Sequence, residues 1–245
     1  MISTAPPGGG SPDVSIVIPF FNEEENVSPL LTELREVCAT LGQVEVLLVN
    51  DGSQDQTGRE IDCWATEWPG VRPVHFVTNH GQAAALFTGL QLCRGKTVVT
   101  LDGDGQNDPG DIPRLLAALE NGADMIAGVR ALRRDSLLRR VMSRLANGIR
   151  SRALRDGVRD TGCTLKAFRR EVIATFIPIR TMYSFMAAMA VNAGFTVSQM
   201  EVGHRARTRG ESKYGLGAFL WRPLVDMLGL MWFFRRRIPG KIPVR

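Results

Sequence analysis

Short β-branched runs separated by segments of helical period constrain this chain more than any other feature. Val14 to Pro19 (VSIVIP) and Val44 to Val49 (VEVLLV) are short β-branched runs, and Leu30, Leu31, Leu34, Val37 and Leu41 between them keep helical spacing. That is one βαβ unit. The pattern repeats with Val74 to Val77, a small-residue helix around Gln82 to Leu92, the run Thr97 to Leu101 (TVVTL), a helix from about Pro109 to Glu120 and a strand at Met125 to Gly128. Alternation of this kind predicts an α/β fold, with a mostly parallel, doubly wound sheet flanked by helices.

Ligands on such sheets bind beyond the carboxyl ends of the strands, so the residues that follow each strand carry the functional information. Here they are unusually polar: Pro19-Phe20-Phe21-Asn22-Glu23, Asn50-Asp51-Gly52-Ser53, Asn79-His80-Gly81 and Asp102-Gly103-Asp104-Gly105-Gln106. One such cluster alone reads as a helix cap or Asx turn. Four at equivalent strand ends point to a site. Asp102 and Asp104 bracket a glycine on one tight turn, where two carboxylates repel unless a cation sits between them. The arrangement favours Mg²⁺ or Mn²⁺ with oxygen ligands, Gln106 offering a neutral third oxygen, and such an ion usually bridges to substrate phosphates.

Charge is divided unevenly along the chain: residues 1–129 carry net −12, 130–159 net +8, 160–203 net +1 and 204–245 net +8. An acidic front suits a cation, and the basic segments suit an anionic lipid head group or phosphate. In the first basic segment Leu137, Leu138, Val141, Met142, Leu145 and Ile149 recur at helical spacing among Arg139, Arg140, Arg144 and Arg150, the pattern of a basic amphipathic helix. Near the end, Ala218 to Phe234 is very apolar, but it has 17 residues, contains Arg222, Pro223 and Asp226, and precedes Arg235-Arg236-Arg237. A transmembrane helix needs about 20 apolar residues, so an interfacial helix is expected, against a core-packed helix or a docking face for a membrane subunit. The basic residues are mixed with Leu, Met, Trp and Phe and match no nucleic-acid module, so lipid is the better partner and no nucleic acid is expected.

Other chemistries lose support. There is no P-loop, no Gly-x-Gly-x-x-Gly after the first strand and no Gly-x-Ser-x-Gly elbow to pair with His75, His80 or His204. Cys38, Cys63, Cys93 and Cys163 have neither metal-ligand spacing nor a disulfide pattern, and buried reduced thiols are expected. Met1 to Asp13 reads as a disordered leader without signal-peptide features.

The series IPFFNEEENV, VNDGSQDQT, NHGQAAALFTGL, LDGDGQNDP, GVR, DTGCTLKAFRR and RTRGESKY, running from about Val14 to Tyr214, resembles the family 2 glycosyltransferases of GT-A (Rossmann-like) fold. Within that family it is most similar to the branch of dolichol-phosphate mannose synthase and bacterial undecaprenyl-phosphate sugar transferases, for which GESKY is the more specific motif. The resemblance implies that Pro19, Phe21, Asn22, Glu23 and Asp51 surround the base and ribose of the donor; Asn50 stands where many relatives have a second aspartate. It implies that Asp102, Asp104 and Gln106 hold the metal and donor diphosphate. It also places Arg130, Arg133, Arg207, Ser212 and Lys213 on the acceptor phosphate and donor diphosphate, with Asp104, Arg130, Arg207 and Lys213 central to the chemistry. Asp160 would line the sugar pocket or fix an arginine by an ion pair.

The implied reaction moves a sugar from a nucleotide-diphospho-sugar, UDP favoured over GDP, to an undecaprenyl or dolichyl phosphate, with inversion. Residues 14–128 would form the donor half and 129–215 the acceptor half of one domain, and 216–245 a basic membrane-associating tail. Many bacterial relatives continue into transmembrane helices. Because this sequence stops at Arg245, the expectation is a cytoplasmic enzyme peripheral on the inner membrane face, held by its own amphipathic segments or by a membrane-protein subunit. The rival readings are a family 2 transferase with a saccharide acceptor and a noncatalytic nucleotide-sugar-binding membrane subunit.

Overall fold

A computed structural model describes residues 11–130, 148, 150–206 and 216–237, with the backbone alone for 216–222. Strands β1 (Val14–Phe20), β2 (Val44–Asn50), β3 (Val71–His75), β4 (Thr97–Thr100), β5 (Met125–Arg130), β6 (Lys166–Arg169) and β7 (Val197–Val202) form one sheet in the order β3-β2-β1-β4-β6-β5-β7. All pairings are parallel except those of β6, which runs antiparallel between β4 and β5. Around the sheet lie α1 (Glu24–Cys38), α2 (Thr57–Glu67), α3 (Gln82–Leu92), α4 (Ile112–Glu120), α5 (Met182–Asn192) and α6 (Leu216–Arg236).

The largely apolar β-branched runs are explained by burial on both faces. Ile16, Ile18, Val46, Leu48 and Val99 pack with Leu31, Leu34, Ile61 and Leu115 from α1, α2 and α4. Val17, Leu47, Val98 and Phe168 point the other way, onto Leu86, Leu90, Phe185 and Met186 of α3 and α5. Each side chain enclosed in this way contributes roughly 1.5–3 kcal/mol.

The structure departs from expectation in several places. The third strand lies at Val71–His75, not 74–77, and Val77 is 99% exposed. β3 is an edge strand, which accommodates Pro73 and alternate exposure. The predicted helix from Pro109 starts as a 3₁₀ turn, Pro109–Asp111, capped by Asp108, whose Oδ1 accepts from Gly110 N at 2.9 Å. Of the predicted basic amphipathic helix, 137–147 and 149 lie outside the described residues. Arg150 is not on a solvated face: it is buried, paired with Asp156, and donates to the Val158 carbonyl at 2.8 Å. Of the four cysteines, Cys63 is exposed, whereas the other three are buried; burial pushes the Cys38 thiol up to about 12 and Cys93 up to about 11. The described chain begins at Ser11, whose hydroxyl donates to the Arg94 carbonyl, and Asp13 pairs with Lys96.

α6 is anchored to the body by Asp226, which accepts from Thr181 N at 3.0 Å and Thr181 Oγ1 at 2.6 Å, and by the buried Leu230. Leu224, Val225, Leu228, Trp232 and Phe233 are exposed. Among the described residues no helix is long and apolar enough to cross a membrane.

Candidate active site

The parallel order β2-β1-β4 brings the ends of three predicted strands together, and the polar residues that follow them meet along one edge. After β1 the backbone of Asn22 takes a positive φ of 50°, reversing the chain. That bend is held from the β2 loop. Asn22 N donates to Ser53 Oγ at 2.9 Å, Gln54 N donates to Asn22 Oδ1 at 2.8 Å, and Glu23 N donates to Thr57 Oγ1 at 2.8 Å. Glu23 in turn accepts from Asn26 Nδ2 at 2.6 Å.

Asp51 is 2% exposed, and its carboxylate accepts from Asn79 Nδ2 (2.9 Å), His80 N (2.8 Å) and Gly81 N (2.8 Å). In this state it shapes the turn that leads into α3. Asn50 caps its own turn by accepting from Ser53 N at 3.0 Å and contacts His75 Nδ1 at 3.1 Å. Gly52 has a φ of 65°, and a Cβ there would sit 2.4 Å from the Thr78 carbonyl carbon, so only glycine lets the β2 and β3 loops touch.

Asp102-Gly103-Asp104 follows β4 directly. A Cβ on Gly103 would lie 2.5 Å from the Phe20 ring and 2.8 Å from the Pro19 carbonyl oxygen. This glycine therefore seats the acidic turn against β1. Asp104 Oδ1 accepts from Gln106 N at 3.1 Å, and Asp102 Oδ1 accepts from Gln82 Nε2 at 2.7 Å. Removal of water from around Asp102, with the neighbouring Asp104 carboxylate acting in the same direction, pushes its pKa up to about 6.

Asp102, whose proton affinity is raised in part by the neighbouring Asp104 carboxylate, forms with it a donor set that fits a hard divalent cation, which would relieve the repulsion. Among the described residues no group of three or more His, Cys, Asp or Glu side chains forms a ready-made cage. The pair is thus suited to an ion that keeps water or phosphate oxygens. Gln106 is partly buried beside it, and its backbone oxygen accepts from Arg205 N at 2.8 Å.

The proton balance of Asp102 gives a test. Its folded pKa of about 6 lies above the ordinary 3.8, so folding takes up a proton between these values, and the carboxylate destabilises the metal-free fold progressively as pH rises through that window. A cation binds only the charged form. Saturating Mn²⁺ with a nucleoside diphosphate is expected to raise Tm by about 5–10 °C near pH 7.5. At about pH 5, where some nine-tenths of the carboxyl is protonated, the gain is expected to fall by roughly half. A gain equal at both pH values in a thermal-shift measurement would remove Asp102 from the ligand set.

Arg130, at the end of β5, is held by Asp160 through Nε–Oδ2 at 2.7 Å and Nη2–Oδ1 at 2.8 Å, with the Arg130 backbone N also donating to Oδ2 at 3.2 Å. Of the two alternatives for Asp160, the ion pair is the one found. Both side chains are largely buried, 17% and 7% exposed. Arg133, Arg207, Ser212 and Lys213 lie outside the described residues.

Sequence reasoning missed several residues at this edge. Gln82 and Asn107 are two of them; Asn107 Oδ1 accepts from Asp102 N at 3.3 Å and Thr164 Oγ1 at 3.1 Å. The third is Lys166, fully buried on β6, whose ammonium donates to the Cys163 carbonyl and whose pKa is lowered by loss of water while Cys163, Asp102 and Asp160 pull it upward. The available signal for Gln82 was its position directly after Asn79-His80-Gly81. A lysine in the otherwise apolar segment Cys163 to Phe168 was the signal for Lys166.

A sheet of this order with a paired carboxylate at the end of its fourth strand defines a GT-A-type fold, and solved structures agree. Glucosyl-3-phosphoglycerate synthase from Mycobacterium tuberculosis, solved with UDP, superposes with a TM-score of 0.71 at 20% identity over 91% of this chain and 81% of that one. A mannosyltransferase from Pyrobaculum calidifontis, solved with GDP-Man and Mn²⁺, superposes with a TM-score of 0.67 at 21% identity over 98% of this chain and 68% of that one. Residues 15–176 match the family model of glycosyl transferase family 2, and the chain belongs to that family. It is 39% identical over 206 residues to undecaprenyl-phosphate 4-deoxy-4-formamido-L-arabinose transferase of Edwardsiella ictaluri and 38% identical over 205 residues to the protein of that name from Aeromonas hydrophila. Each alignment covers 83% of this chain and 63% of the relative, so the chain spans somewhat under two thirds of their length.

Proposed function

We propose that this chain transfers a sugar from a nucleotide-diphospho-sugar to a polyprenyl phosphate, with inversion at the anomeric carbon. The reading is carried by the Asp102–Asp104 pair at the end of β4 in a chain 39% identical to an undecaprenyl-phosphate sugar transferase. An oxygen of the acceptor phosphate attacks the anomeric carbon as the bond to the nucleoside diphosphate breaks, and a single in-line displacement inverts the centre. The acceptor is already an anion, so the reaction needs orientation and charge neutralisation more than a general base.

The residues divide that work. Pro19, Phe21, Asn22, Glu23 and Asp51 form the donor's base and ribose surroundings, within a donor half spanning 14–128. Asp102 and Asp104, with Gln106, would hold Mg²⁺ or Mn²⁺, which when bound stabilises charge on the leaving diphosphate. Arg130, oriented by Asp160, presents a fixed guanidinium to phosphate, and Arg133, Arg207, Ser212 and Lys213 complete the acceptor half. A UDP-sugar is the preferred donor, and the enzyme works at the inner membrane face.

The test is a transfer assay offering the purified chain, Mn²⁺ or Mg²⁺ and a short polyprenyl phosphate a panel of UDP- and GDP-sugars, with products read by mass spectrometry. A polyprenyl-phospho-sugar mass is expected. Transfer to a saccharide acceptor with none to the lipid phosphate would replace this reading with that of a polysaccharide-directed family member.

A further inference from the structure

A concavity whose lining includes none of the residues of the carboxylate edge lies where the last turn of α6 meets the end of α5 and the chain at 153–155. It encloses about 270 Å³ and is lined by Leu154, Arg155, Asn192, Met231, Phe234 and Arg235. Its floor is apolar and its polar groups are two guanidiniums and an amide. No carboxylate lines it, and neither Arg155 nor Arg235 has an ion-pair partner among the described residues. Arg155 and Arg235 are both solvent-exposed and bring two guanidiniums to one concavity without a carboxylate, so the charge of this surface suits an anion.

The position of the cavity on α6 indicates what carries that anion. Leu224, Leu228 and Trp232 follow one another at four-residue intervals along the helix and are all exposed. Met231 and Arg235 are likewise four apart and lie one row round the helix from that stripe, toward the body. The cavity therefore opens along the seam beside an exposed apolar strip. Arg236 stacks over the Trp232 ring, 5.5 Å from its centroid, adding a cation beside the strip. A phosphate with acyl chains leading from it meets both halves of this surface at once; free inorganic phosphate would leave the strip bare.

We propose that this cavity is a binding site for the head group of an anionic phospholipid, which seats α6 on the membrane surface with Leu224, Leu228 and Trp232 in the acyl region. Arg155 and Arg235 grip the lipid phosphate, and Met231 and Phe234 accept the glycerol backbone. The site is separate from the carboxylate edge that handles the donor. Its purpose rests on the reading that the acceptor is a membrane lipid, but its chemistry does not.

The experiment is co-sedimentation of the full chain with vesicles of phosphatidylcholine alone and with vesicles containing phosphatidylglycerol. Each arginine near an anionic surface contributes about five-fold in affinity, so Arg155→Ala with Arg235→Ala is expected to weaken binding to the anionic vesicles by roughly 25-fold. The paired Arg155→Lys, Arg235→Lys variant, which keeps charge but loses the bidentate fork, should recover part of that loss. Arg236→Ala, outside the cavity, serves as the comparison for non-specific charge and is expected to lose no more than about five-fold. Should the double alanine variant fail to fold, the lysine variants decide: a site that uses the guanidinium forks loses binding in Arg155→Lys with Arg235→Lys, while Arg236→Lys should stay within about two-fold of the unaltered chain, and equal losses in the two would overturn the proposal. Equal binding of the unaltered chain to both vesicle types, or a loss in Arg236→Ala as large as in the double variant, would overturn the proposal. Transfer to a short, detergent-soluble polyprenyl phosphate should be the same in the double alanine variant and the unaltered chain, so a failed lipid site and a failed transferase reading give different results.

Discussion

Replacing Asp104 with alanine is expected to lower kcat/KM for sugar transfer by about 10²–10³-fold, equivalent to roughly 3–4 kcal/mol of lost transition-state stabilisation. The size follows from where the negative charge goes. As the glycosidic bond breaks, charge accumulates on the leaving diphosphate, and the cation that answers it is expected on the Asp102–Asp104 pair. Asp102 alone is a poor support, since one carboxylate answers only half the charge of a divalent ion. Removing Asp104 relieves the repulsion that raises Asp102, but also removes half of the anionic donor set. The fold should survive: Asp104 is only partly buried and its described hydrogen bond from Gln106 N is a local turn contact. Tm is therefore expected to move by less than about 2 °C while the Mn²⁺-dependent rise in Tm disappears. Asp62→Ala serves as a control, being a carboxylate 64% exposed on α2, and should leave transfer within about two-fold of the unaltered chain. Full transfer by Asp104→Ala would take the metal role away from this turn.

The parts of this molecule that were legible in its sequence are those whose sequence signal is local. β1, β2 and β4 are buried on both faces, and such strands write themselves as runs dominated by Val, Ile and Leu, the buried Ser15 and Glu45 being hydrogen-bonded to each other. α2 presents only Thr57 and Ile61 as buried positions, too few to make a visible stripe. β6 was hidden by Lys166, a charged residue that burial and a backbone acceptor accommodate inside the sheet. β7 is an edge strand, VSQMEV, whose side chains are mostly half-buried or exposed and give little apolar contrast. The antiparallel insertion of β6 between β4 and β5 follows from neither pattern, because register is decided by tertiary pairing.

The site divides in the same way. Asp51, Asp102 and Asp104 stand out because they follow predicted strands directly, and strand ends of one parallel sheet share an edge. What each does was less visible. Asp51 has three donors on its carboxylate from the loop 79–81, a relation spanning 28 to 30 residues. Gln82 reaches Asp102 across 20 residues, and Asp160 meets Arg130 across 30. Spacing in a sequence carries no information about such distances unless the intervening elements are already in place.

The Arg130–Asp160 pair separates what holds the fold from what performs the chemistry. Asp160→Ala should strand a guanidinium that is 17% exposed and also deprive Arg130 N and Gly162 N of their acceptor. Breaking a buried pair by removing one partner costs about 3–5 kcal/mol, so Tm is expected to fall by about 10 °C. Removing both charges together has a different outcome, because well-packed apolar replacements of a buried pair are often neutral in stability. Arg130→Met combined with Asp160→Leu is therefore expected to recover most of the lost Tm. Activity should not follow. If Arg130 meets phosphate, the double variant remains about 10²-fold down in kcat/KM despite its restored stability, since the guanidinium that neutralises charge in the transition state is gone. Thermal unfolding and transfer kinetics on the same three proteins give both quantities, and recovery of transfer together with Tm would reduce Arg130 to a structural partner of Asp160. Arg130→Lys with Asp160 intact keeps the charge and loses the two-pronged contact, so an intermediate loss in kcat is the result that assigns the fork geometry itself to the reaction.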